Sequence, residues 1–267
     1  PLQALYHLLF PPLQGRLPAH GELYVTLPAA WHDLPLAALH SGRAYLIQEY
    51  ALTHLTSPFV LLNAPTRMTT DPATAQQAER RACIVGFSQQ GVLPHALAEA
   101  CAVAQHIAPD WQCALLLEKA ATVDQVLATL PTCDLIHFAT HAAYRPDNPL
   151  FSWLQLADTR LNVIELYHQA HLQRHPLVVL SACESARGGR QSGLIGLARA
   201  LLATGASGLV ASQWRVEDAA TARLMAAFYH QWSAAQGQPA PRALQQAQAL
   251  LADQLHPFYW AGFVFIQ

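Results

Sequence analysis

Six short apolar runs, separated by stretches with helical patterning, constrain this chain more than any other feature. They are ACIVGF (82–87), CALLLE (113–118), DLIHFAT (134–140), PLVVLSA (176–182), GLVASQW (208–214) and FYWAGFVFI (258–266). Helical patterns fill the gaps, at 92–107, 122–130, 161–172, 193–204, 218–235 and 240–254, and segment 150–157 reads as a hairpin. Strands that are apolar throughout, rather than on alternate residues, belong to a sheet buried on both faces. Helical crossovers return the chain to a parallel neighbour. The expected fold class is therefore α/β, a three-layer α/β/α arrangement around a mostly parallel central sheet.

The amino-terminal part reads differently. A helix at 2–9, an extended LYVTLP (23–28), an apolar AYLIQEY (44–50) and a piece at 58–63 are interrupted by frequent prolines. The expected organisation is an amino-terminal subdomain, 1–75, that adds strands to the same sheet. It joins the core, 76–267, through the polar segment 64–81. No repeat of solenoid period occurs within the chain.

Composition narrows the function classes. A net charge of −2 and an isoelectric point near 6.8 give no electrostatic footprint for nucleic acid. No apolar run reaches the ~18–20 residues of a membrane span. Charged residues make up 12% of the chain, about half the usual ~25%, which predicts that a partner or another part of a longer polypeptide covers some of the surface. The five cysteines are odd in number and form no CxxC pair, so neither a zinc site nor a disulfide framework is expected, and a reducing, cytoplasmic setting is. His171 and His175 stand four apart but have no carboxylate with them, and no metal is expected. Without a GxGxxG or Walker string, no cofactor is expected either. GGRQSG (188–193) lacks the GK[ST] of a phosphate loop and reads as a mobile loop beside an active centre.

Two of the six runs end on chemically loaded side chains, His141 in DLIHFATHAAY (134–144) and Cys183 in PLVVLSACESARGG (176–189). The carboxyl ends of parallel strands are where such sheets present reactive groups. The interval between the two residues fits one crossover between neighbouring strands, whose ~4.8 Å spacing lets side chains at adjacent ends meet. A thiol is a nucleophile only as thiolate, and a nearby imidazole can take its proton. Read alone, each residue is as compatible with a small buried hydrophobe or a satisfied polar group. Cys83, Cys101, Cys113 and Cys133 fall in or beside apolar runs and read as core, as does His137. Trp214 and Tyr144 fit either a cleft wall or packing.

The strings HFATHA and LSACES, the later ASQWRVEDAAT (211–221) and the closing HPFYWAGFVF (256–265) resemble the CHAT family of caspase-like cysteine peptidases, relatives of separases and caspases. LYVTLPAAWHDLPLAAL (23–39) and GRAYLIQEYAL (42–52) resemble that family's amino-terminal part, so the likeness covers nearly the whole chain. The resemblance implies a caspase-like core and a catalytic dyad, His141 as general base then acid and Cys183 as nucleophile. It also implies oxyanion donors at the backbone N–H groups of Ala142 and Cys183. The family commonly has glycine where this chain has Ala142. QWRVED resembles the separase segment that supplies an acid to the S1 pocket, which makes Asp218 the candidate for a basic P1 side chain. As a residue ahead of a helical run, Asp218 also reads as an N-cap, the plainer reading, and the two are not exclusive. Glu184, next to the nucleophile, reads as a loop-orienting residue.

The implied function is a cysteine endopeptidase acting on a protein substrate and switched on by a partner or sensor region outside this chain. Such regions in the family are usually tetratricopeptide repeats, and bacterial members suggest defence or signalling. A catalytically silent interaction module is the alternative. A thiol hydrolase or transferase with a deep small-molecule pocket is a third reading.

Overall fold

The computed structural model of the protein describes residues 1–13, 15–60, 79–145, 147–181, 193–234 and 238–267. The segment at 61–63, most of the polar connection at 64–81, and GGRQSG up to residue 192 lie outside them. The described strands are β1 (Gly21–Val25), β2 (Tyr50–His54), β3 (Arg80–Gly86), β4 (Trp111–Leu117), β5 (Leu135–Ala139), β6 (Ala142–Ala143), β7 (Trp153–Gln155), β8 (Arg160–Asn162), β9 (Leu177–Leu180), β10 (Gly208–Ser212) and β11 (Phe263–Ile266). Eight of them form one sheet in the order β1-β2-β11-β10-β9-β5-β3-β4, and β6, β7 and β8 form a small antiparallel sheet. The strands of the amino-terminal segment thus extend the central sheet.

Helices cover both faces. They are α1 (Leu2–Leu9), α2 (Leu46–Glu49), α3 (Ala96–Ile107), α4 (Val123–Thr129), α5 (Val163–Gln169), α6 (Gly193–Ala203), α7 (Asp218–Ala234) and α8 (Ala240–Ala252). Alternate strand residues feed two cores, because successive side chains point to opposite faces. Ile84, Leu135, Val179, Val210 and Phe265 pack with α3, α7 and α8 through Val103, Leu224, Phe228 and Leu244. Val85, Phe138, Leu180, Leu209 and Val264 pack with α4, α5 and α6 through Val126, Leu166 and Leu201. This is why the runs are apolar at every position, and it bears out the three-layer, mostly parallel expectation.

One junction departs from the parallel rule. β10 and β11 pair antiparallel, with Leu209 opposite Ile266 and Ser212 opposite Phe263, while β11 runs parallel to β2. The cause is the number of helices between them. α7 carries the chain away from the end of β10 and α8 carries it back, so β11 starts at the edge where β10 stopped. Only Phe263–Ile266 of the apolar run 258–266 is strand, because Pro257–Tyr259 makes a 3₁₀ turn ahead of it. Gln248 of α8, fully buried, fixes that entry by donating its amide to the carbonyls of Trp260 and Phe263, both at 2.8 Å.

α3 likewise begins later than the helical pattern at 92–107. Gln89, Gln90 and Gly91 adopt left-handed backbone, with φ of 50°, 59° and 90°. Ser88 Oγ accepts the Gly91 N–H at 3.2 Å and closes the turn. Residues 88–95 therefore form a loop over the carboxyl end of β3, beside the site described below.

At the end of β2, His54 is buried, and its Nε2 has no hydrogen-bond partner among the described residues. Burial, with His32 nearby, pushes its imidazole down to about 4. An unfolded chain would take up that proton near pH ~6.5. As the pH falls from there toward 4 the unfolded state binds a proton that the folded state refuses, so stability falls, by on the order of 3 kcal/mol. His54→Leu should flatten this slope. The check is the urea midpoint at pH 7 and pH 5 for both proteins; equal drops would show that His54 is not responsible.

Candidate active site

β5 and β9 lie side by side and parallel, with Leu135 opposite Leu177 and Phe138 opposite Leu180. The offset in sequence is the same for every pair in the ladder. The ladder runs one step further, since the Ser181 N–H donates to the Phe138 carbonyl at 2.9 Å. The two carboxyl ends therefore open at the same edge of the sheet. The first places Thr140 and His141 there and the second places Ser181. Cys183 and Glu184 lie outside the described residues.

His141 is half-buried, at the joint between β5 and the small sheet. Two bonds to one residue hold this joint. The Thr140 hydroxyl donates to the Gln155 carbonyl at 2.5 Å, and the Gln155 N–H donates to the His141 carbonyl at 2.7 Å. The second bond makes Ala142 and Leu154 a pair that exchanges no hydrogen bond across the antiparallel ladder. The Ala142 N–H therefore points out from β6, an edge strand, and away from β7. An alanine fits as well as glycine here: Ala142 is in extended backbone and its methyl packs in the same core as Leu154 and Leu180. Thr140 and Gln155 have no pattern in sequence that marks them as supports for His141.

Asp218 is the first residue of α7. The Glu217 carbonyl accepts the first helical bond, from the Thr221 N–H at 2.9 Å, so Glu217 holds the cap position. The N-cap reading of Asp218 is corrected accordingly. Its carboxylate instead accepts the His95 N–H at 2.8 Å, tying α7 to the loop 88–95. It also lines a cavity of about 200 Å³ at the carboxyl ends of β5 and β9, together with Thr140, Ser181, Glu99 and Thr221. His141 is not among the residues lining it. Trp214 is packed: its indole donates to the Phe258 carbonyl at 2.9 Å, stacks on the Phe258 ring and closes over Gly262.

A buried polar chain stands behind this cavity. His137 Nε2 approaches Glu99 Oε1 at 3.1 Å, and His137 Nδ1 lies 3.0 Å from the Tyr229 hydroxyl. Burial, with Glu99 close by, raises the Tyr229 hydroxyl well above its usual range, so Tyr229 keeps its proton. His137 is structural, as its place inside a strand implied. Its partners, Glu99 well upstream and Tyr229 far downstream, leave no trace in the local sequence.

Of the described thiols, Cys83 and Cys133 are buried as core, whereas Cys101 and Cys113 are only partly buried. Burial pushes the Cys83 thiol far up and the Cys133 thiol to about 11, and Cys113 is raised for the same reason. Among the described residues no group of three or more His, Cys, Asp or Glu could hold a metal, and no helix is long and apolar enough to cross a membrane.

An eight-stranded, mostly parallel sheet between two helical layers, with a histidine at the end of one central strand, is the arrangement of a caspase-like α/β protein. The structure is similar to separase in the Saccharomyces cerevisiae separase–securin complex, with a TM-score of 0.60 at 15% identity over 92% of this chain and 15% of that one. It is also similar to the Arg-specific cysteine proteinase gingipain R, with a TM-score of 0.63 at 10% identity over 99% of this chain and 66% of that one. The chain belongs to the CHAT domain family, which it matches over residues 1–267. It is 26% identical to tetratricopeptide repeat protein 28 of Homo sapiens over 330 aligned residues and to that of Mus musculus over 328. These alignments take in all of this chain and 13% of each relative.

The raised thiols make a direct prediction. In the native protein at pH 7, Cys83 and Cys133 should stay unmodified by iodoacetamide, whereas all five cysteines should react in guanidinium chloride. Peptide mass spectrometry reads this out, and rapid native labelling of Cys83 would contradict its burial.

Proposed function

We propose that this chain is a cysteine endopeptidase domain with Cys183 as nucleophile and His141 as its acid–base partner. The observation that carries the reading is the register of β5 and β9. The sequence interval that pairs Leu135 with Leu177 and Phe138 with Leu180 is the same interval that separates His141 from Cys183. The outward Ala142 N–H and the family membership support it.

In this reading His141 takes the proton of the Cys183 thiol, and the thiolate sulfur attacks the substrate's carbonyl carbon. A C–S bond forms and the carbonyl π pair moves to oxygen. The N–H groups of Ala142 and Cys183 receive that oxyanion. The pair returns, the C–N bond breaks, and His141 gives its proton to the departing amine. Water, deprotonated by His141, then attacks the thioester; the C–S bond breaks and the new carboxylate leaves.

Asp218 is the acid that receives a basic P1 side chain. Its fixed position favours this role, since the His95 N–H satisfies one oxygen and orients the carboxylate toward the cavity that it lines. A region beyond this chain, a tetratricopeptide-repeat segment on the model of its relatives' names, supplies activation by a partner.

Cys183→Ala and His141→Ala should each lower cleavage of a peptide substrate by roughly 10³-fold or more while leaving the melting temperature near that of the wild type. Asp218→Ala should lower kcat/KM for P1 Arg or Lys peptides by roughly 10²-fold and spare hydrolysis of a non-basic substrate. The assay uses the full-length protein with its activating partner. A Cys183→Ala protein that still cleaves would end the peptidase reading, and a full-length protein that neither cleaves nor takes up a peptidyl chloromethyl ketone would act as an interaction module.

A further inference from the structure

The cavity beside Asp218 holds more polar groups than recognition of a point charge needs. Three of its lining residues are acidic, Glu99, Glu217 and Asp218, against one cation, Arg215. Two hydroxyls stand with them. Thr221, 4% exposed, and Ser181, 8% exposed, have buried oxygens with no hydrogen-bond partner among the described residues. Buried hydroxyls are ordinarily paired, because a lost partner costs the full desolvation of the group. Two such hydroxyls lining one cavity, beside a carboxylate whose side chain is 3% exposed, mark a place prepared for a ligand rich in donors.

Glu99 is flanked from behind. His137 Nε2 lies 3.1 Å from Oε1, and the Tyr229 hydroxyl lies 3.0 Å from His137 Nδ1. Neither Oε1 nor Nε2 has a hydrogen-bond partner among the described residues, so the carboxylate keeps acceptor capacity. Its own N–H donates to the His95 carbonyl at 2.8 Å, while the His95 N–H serves Asp218. One residue therefore couples the positions of both carboxylates. A guanidinium is flat and offers five N–H donors in a fixed fork, whereas an ammonium offers three around a point. Several acceptors distributed around a cavity of about 200 Å³ match the first shape better than the second.

We infer that Glu99, Thr221 and Ser181 form a second tier of recognition in the Asp218 cavity, which selects arginine over lysine for the side chain bound there. The inference rests on the cavity being the P1 site of the proposed peptidase, and it adds to that reading a specificity-determining group on α3.

The test is equilibrium binding by calorimetry to the full-length protein, with n-propylguanidine for the arginine side chain and n-butylamine for that of lysine. The wild type should bind the guanidine at least ~10-fold tighter. Glu99→Gln and Thr221→Val should each bring the two ligands to within ~3-fold of one another by weakening the guanidine alone. Glu99→Gln removes a buried partner of His137 and could unfold, so circular dichroism accompanies it. Thr221→Val keeps the shape of the side chain and reads the same preference. Equal affinities in the wild type, binding of neither ligand, or a preference that survives in Thr221→Val would overturn the inference. Binding needs no peptide cleavage, so the two readings fail separately. Guanidine selection without proteolysis would leave this site and remove the peptidase, and proteolysis without guanidine selection would do the reverse.

Discussion

The parallel ladder between β5 and β9 is the constraint on which the candidate site depends. A slip of one residue along either strand would turn every side chain to the opposite face. Here both faces are core, so Phe138 and Leu180 on one side and Leu135 and Val179 on the other resist that slip together. The strand ends inherit the accuracy of the packing. Thr140 and Ser181 reach one cavity, and His141 sits at a joint that two bonds to Gln155 hold in place. Two buried cores thus deliver what a surface loop could not, a sheet edge whose geometry is fixed by apolar area several residues away.

The same two-sided burial decides what can be read from the sequence. Runs such as PLVVLSA and ACIVGF are legible as central strands because no residue in them can face water. The direction of β11 is less open to view, although its cause is present: two helical patterns, rather than one, precede FYWAGFVFI. Burial patterning reports which residues are inside and says nothing about which way a strand runs. The dyad positions come from motif resemblance, and the residues alone allow a buried thiol and a satisfied imidazole. The orientation of the Ala142 N–H depends on a bond between Gln155 and His141, and the role of Glu99 on contacts to His137 and Asp218's neighbour His95. Both are products of long-range packing, to which local pattern is blind.

Charge is distributed with comparable economy. Few charged residues occur in the chain, yet Glu99 is buried deep between α3 and β5 with a histidine and a tyrosine lined up behind it. Such a chain is expensive to desolvate, and the close approach of its members offsets part of that cost. Asp218, at the start of α7, sits where the helix dipole favours an anion. The candidate pocket is therefore acidic from two directions, by a buried carboxylate backed by His137 and a half-exposed one held by a backbone amide.

The strand that comes last in the described chain lies in the interior of the sheet, between β10 and β2. β1 and β2 join the remaining strands only through β11, although they are made first. During synthesis they would wait with an open edge until the sequence VFI, more than 200 residues later, arrives to join the halves. Folding of this sheet is thus a closure rather than an accumulation, completed by a long-range pairing, and such a topology is slow and exposed to premature pairing. Shortening the chain by that one strand would remove little mass and would divide one sheet into two.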